Sequence, residues 1–74
     1  MIPMDLRTAA TIELAASDAN QEATSVGERA ALTQLEAIAA RALNAGDPNK
    51  VREAQSLARM ERTYRLVEVE LMDR

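Results

Sequence analysis

The amino-acid sequence predicts an all-α protein: an antiparallel helical hairpin over residues 25–74, preceded over residues 1–24 by a short helix and a polar linker. Three features lead to this reading. The break Asn44-Ala45-Gly46-Asp47-Pro48 divides two long stretches in which apolar residues recur every three or four positions, the spacing of one helix face. Ala, Leu, Glu, Arg and Met, all good helix formers, dominate those stretches. The break itself punctuates helices. Gly46 is expected to take the left-handed backbone that closes one helix, Asp47 to accept from a free amide of the next, and Pro48 to occupy its first turn.

The opening helix, residues 5–16, begins at a cap, Asp5, and gathers Leu6, Ala9 and Ala16 on one side with Ile12 near its edge. Its burial is weak, because Leu14 falls away from that side and Thr8 and Thr11 lower helix propensity. Residues 17–27 are small and polar and read as a linker or loop in which helical turns can form. Ser25-Val26-Gly27-Glu28 fits a capping box, hydroxyl to one free amide and carboxylate back to the cap amide, and starts the first strong helix. Leu32, Leu35, Ile38, Ala39, Ala42 and Leu43, with Ala31, then share an arc of about 140° at 100° per residue and form its buried face.

The second arm, residues 48–73, is about 39 Å long if helical throughout, and it carries two apolar faces. Leu57, Met60, Tyr64, Val67 and Leu71 advance by three, four, three and four residues, a narrow seam expected to pack along the first arm. Val51, Ala54, Ala58, Leu66, Val69 and Met72 fall on another side, broken by Arg62 and Arg65. One arm can cover only one of these faces. The other must be exposed, covered by the opening helix, or buried against another chain. A strand competes over residues 67–71, where apolar and acidic residues alternate, but its helix-forming surroundings and the lack of a complementary strand favour the helix.

Seventy-four residues make one domain at most, and a chain of this size buries only about 60% of its unfolded surface. With no Cys and no His, neither disulfides nor thiolate or imidazole metal sites can staple so thin a core, which leaves a homo-oligomer or a protein partner. A net charge of -3 argues against nucleic acid, since phosphate binding needs a clustered cationic excess. Arg59, Arg62 and Arg65 are interleaved with Glu61, Glu68 and Glu70 and read as a salt-bridged surface. No apolar run approaches the roughly 20 residues of a membrane span, so direct membrane insertion is not expected. Met1-Ile2-Pro3-Met4-Asp5 lacks a basic stretch followed by an apolar one, which places the protein in the cytoplasm, with a signal-independent export route left open.

Catalysis is not expected. Glu36, Glu53 and Glu61 could exchange protons in principle, but none is paired in sequence with His or Cys. Ser17, Ser25 and Ser56 have neither a nucleophile-elbow turn nor a His to act as base. Asp47-Pro48-Asn49 offers oxygens without the alternating acidic pattern of a calcium loop and reads as a helix cap. No cofactor is implied. The functional candidates are therefore partner-binding residues: Leu57, Met60, Tyr64, Val67 and Leu71 of the seam, and Leu66, Val69 and Met72 of the second face. Tyr64 suits an interface anchor as well as a packing role, and Gly46, Asp47 and Pro48 form the helix turn.

Two amphipathic helices joined through Leu43-Asn44-Ala45-Gly46-Asp47-Pro48, followed by Val51, Leu57, Tyr64 and Val67, resemble the small helical proteins of bacterial type III secretion. The resemblance covers about residues 28 to 74. That group comprises needle and inner-rod subunits and the co-chaperones that keep needle or pilus subunits soluble. The Trp-containing amino-terminal stretch of needle subunits has no counterpart in residues 1–24. The resemblance therefore implies an accessory protein or co-chaperone that masks apolar helix surfaces of an export subunit through helix-in-groove contacts. The alternative it implies is a self-assembling needle or inner-rod-like subunit, with copies meeting head to tail.

Overall fold

The computed structural model describes residues 4–73; Met1, Ile2 and Pro3 of the opening stretch, and Arg74, lie outside the described residues. The protein is all-α, with α1 at Leu6–Glu22, α2 at Val26–Asn44 and α3 at Pro48–Met72. Residues 67–71, where a strand competed, are helical.

Each helix starts on a side-chain cap. The Asp5 carboxylate accepts from the Thr8 amide at 2.7 Å, the Ser25 hydroxyl from the Glu28 amide at 3.1 Å, and the Asp47 carboxylate from the Asn49 amide at 2.8 Å. Pro48 takes the first turn of α3, where its missing N–H is no loss. Gly46 departs from expectation. No described glycine has a positive φ, and α2 instead ends with Ala45 still right-handed at φ -83°, ψ -10°. The Ala45 N–H donates to the Arg41 carbonyl at 3.2 Å, and the Gly46 N–H donates to the Leu43 carbonyl at 3.1 Å. Glycine suits position 46 for a different reason: a Cβ there would lie 2.6 Å from Leu6 Cδ2 and 3.2 Å from Val51 Cγ2, so the Leu6 side chain would have to shift.

The opening helix runs six residues past the expected end at residue 16, through the stretch read as a linker. Tertiary partners override its weak local propensity. Asn20 Nδ2 donates to Thr33 Oγ1 at 3.2 Å, and Arg62 donates from α3 to the Asp18 carboxylate at 3.1 Å. Ala16, just before them in the helix, is buried.

α1 is the helix on which both others pack. Its Leu6, Ala9 and Ala16 side meets α2, which runs antiparallel to it, with Asn20 bonded to Thr33 near one end and Leu6 beside Gly46 at the other. Ala10 and Leu14 lie about 100° and 140° around the helix from Ala9 at 100° per residue, and this second side takes α3. Arg7 and Asp18 stand about 16 Å apart along α1, yet they pair with the adjacent α3 residues Glu61 and Arg62. α3 therefore crosses α1 obliquely instead of running along it.

The core where the helices meet is Ala9, Ala10, Ala39, Ala54, Ala58 and Leu43. Ala9 and Ala39 are 0% exposed, and Leu43 is the one large apolar side chain buried among the described residues. Alanine contacts let helix axes approach closely, but each buries little apolar area. The molecule is correspondingly open. Its radius of gyration is 13.8 Å, against about 11 Å for a compact domain of this length. Its accessible surface is 5881 Å², roughly 1400 Å² more than a compact monomer of this size exposes.

Candidate functional site

The exposed large apolar side chains are concentrated on α3. Val51, Ala54 and Ala58, the first half of its second apolar face, turn toward α1 and are buried or half-buried. The seam lies about 130° around the helix from that side, at 100° per residue, and it does not pack along α2. Leu57 is half-buried, but Met60, Tyr64, Val67 and Leu71 are all exposed, Tyr64 at 64% and Leu71 at 65%. The expected pairing fails because α1 fills the space between the arms near the turn, where Leu6 wedges against Gly46 and Val51. Leu66, Val69 and Met72 continue the second face past the crossing point and are exposed too. No residue from 63 to 73 is buried or half-buried.

The expected partner-binding residues thus collect on one protruding helical segment, in two groups. The seam forms a straight stripe, with Ser56, Arg59, Met60, Thr63 and Tyr64 lining a shallow depression at its amino-terminal end. Leu66, Val69 and Met72 form a second patch on the far side, broken by Arg65 and separated from the seam by Glu61 and Glu68 on one border and by Glu70 on the other. Gly46, Asp47 and Pro48 do not join either group; they fix where α3 begins.

α2 adds a surface that the sequence reading assigned to burial. Leu35 and Ile38 are exposed, because α1 covers only the part of that arc holding Leu32, Ala39 and Leu43. With Ala31 and Ala42 they make a stripe of spacing four, three and four.

The polar residues weighed for chemistry are dispersed. Glu61 is bridged to Arg7 and, at 3.8 Å, to Arg65. Glu53 is exposed, while Glu36 and Ser17 line a shallow cleft with Glu13, Gln55 and Arg59. Ser25 is occupied as a cap, and Ser56 borders the seam. Among the described residues no three carboxylates gather into a group able to hold a metal ion. Among the described residues no helix is long and apolar enough to cross a membrane.

Comparison with known proteins adds no relative: no family model, curated protein or solved structure matches the chain.

Proposed function

We propose that this protein is a small helical interaction module whose α3 seam binds an apolar helical surface on another protein. It acts as an accessory protein or co-chaperone of a bacterial type III secretion apparatus, masking an export subunit until delivery. The carrying observation is the uncovered seam, Met60, Tyr64, Val67 and Leu71, on a helix along which every residue from 63 to 73 is exposed. A standard interface takes about 800 Å² from each partner, and the surplus surface of roughly 1400 Å² relative to a compact monomer exceeds that. The secretion role is supported by the sequence resemblance, and the interaction role by the exposed seam.

The test is co-purification of the tagged full chain from its own cells, with the partner identified and the complex mass measured. A defined heteromeric complex that is lost in Tyr64→Glu/Val67→Glu supports the reading. Recovery of the chain alone, in the same state as that variant, contradicts it.

The α2 stripe favours one other reading. Exposed heptad-spaced stripes on two different helices are what a head-to-tail contact between copies needs, and such a contact extends into a filament when it does not close. Light scattering that rises with concentration without reaching a plateau supports this self-assembling subunit; a fixed small complex supports the accessory protein.

A further inference from the structure

Because nothing in the fold covers the seam, its borders decide what it can accept. Glu61 and Glu68 follow Met60 and Val67 on one border, while Ser56, Thr63 and Glu70 precede Leu57, Tyr64 and Leu71 on the other. Those are the positions that meet the flanking charges of a docked helix. Glu61 is already held by Arg7 and Arg65. Glu68 and Glu70, one on each border, form no ion pair among the described residues.

Residues 66–73 carry three carboxylates, Glu68, Glu70 and Asp73, and no cation, with Arg65 and Arg74 flanking them in sequence. The last turn of α3 has no basic residue to offset the partial negative charge of its terminal carbonyls. At the opposite end of the seam, Arg59 stands beside Met60 and Tyr64 and moderates the field.

A second copy of α3 answers this charge poorly. Antiparallel pairing that sets Tyr64 on Val67 would bring Glu61 of one copy beside Glu68 of the other. Parallel pairing would set Glu68 against Thr63 and supply no cation.

Resting on the proposed use of the seam, we infer that its occupant is an amphipathic helix of a different protein. That helix carries an apolar stripe at three- and four-residue spacing and is bordered on both sides by Lys or Arg where it passes Val67 to Leu71. Apolar burial supplies affinity, and the cationic borders supply discrimination and orientation.

The experiment titrates the full chain with two synthetic four-heptad peptides, identical in their Leu core positions, one with Lys at every bordering position and the other with Glu. The Lys peptide is expected to bind about fivefold more tightly at low ionic strength, the sum of several weak exposed pairs. The preference is expected to collapse at 1 M salt, where screening acts within about 3 Å. Glu68→Lys/Glu70→Lys, checked for unchanged helicity, is expected to invert the order. Glu22→Lys/Glu28→Lys, which changes net charge equally but lies away from the seam, is expected to keep it. Equal affinity for both peptides, or inversion by the distant pair as well, overturns the inference and leaves the seam as a binding surface. Failure of both peptides to bind overturns the inference and the proposed function together.

Discussion

Leu6 packs into the turn between α2 and α3 so closely that a methyl group on Gly46 would sit 2.6 Å from its Cδ2 atom. The first helix thereby holds the other two apart, and the seam of α3 is left without an intramolecular cover. Gly46→Ala meets no left-handed strain, so any loss comes from displacing Leu6. A net destabilisation of about 1 kcal/mol is expected, the overpacking term outweighing the entropy gained in the unfolded chain. In a urea double-mutant cycle the loss should be relieved by Leu6→Ala, with a coupling of at least about 0.5 kcal/mol. Strict additivity would show that the two residues do not touch.

The alanine core should tolerate little change in size. Leu43→Ala removes the one large buried side chain and is expected to cost about 2–5 kcal/mol, comparable to the whole stability of a domain this small. Ala39→Leu, at a fully buried contact, is expected to cost about 1–3 kcal/mol by overpacking. Far-UV circular dichroism against temperature reads both. A Leu43→Ala protein that melts like the parent would show that the helices are held elsewhere.

Two surface bridges pin α3 to α1 on either side of the crossing, Arg7 to Glu61 and Arg62 to Asp18. All four side chains are more than a third exposed, so a double-mutant cycle on Arg62 and Asp18 should return about 0.2–1 kcal/mol, falling with added salt. A coupling of several kcal/mol, insensitive to salt, would contradict this geometry.

The Asp5 carboxyl titrates below its ordinary range, because its charged form accepts from the Thr8 backbone amide and side chain, with a smaller contribution from the Arg7 guanidinium. A folded-state pKa below the unfolded value stabilises the fold above the ordinary carboxylate range, and that contribution is lost as pH falls through the folded value. Amide protection factors in the first turn of α1, taken relative to the intrinsic exchange rate at each pH, should therefore fall as the solution is acidified through that window. Asp5→Asn, which keeps an acceptor but cannot titrate, should remove this step. A first turn equally protected on both sides of the window would exclude the cap.

The helices and their caps were legible because capping and turn chemistry is local: Asp5, Ser25, Asp47 and Pro48 act within a few residues of themselves. The pairing of helices was not. Leu14 looked like a residue falling off a weak stripe, whereas with Ala10 it forms a second side of α1 that carries α3. Ala10 carries no signal of its own, because alanine marks a close contact no more clearly than it marks helix propensity. The two apolar faces of α3 were both readable, but which one the fold covers depended on Leu6 reaching the turn, a contact forty residues distant in sequence. Asp18 and Asn20 read as linker residues because their partners, Arg62 and Thr33, lie on other helices.

Tyr64 is the sole aromatic residue of the chain and sits at the middle of the seam, so its fluorescence reports directly on whether that stripe is covered. The decisive measurement is quenching by acrylamide at a concentration where sedimentation finds only monomer. If α1 packs on the opposite side of α3, Tyr64 should be quenched almost as readily as a free tyrosine amide. A strongly shielded Tyr64 in that monomer would place α2 or another element over the seam and contradict the account.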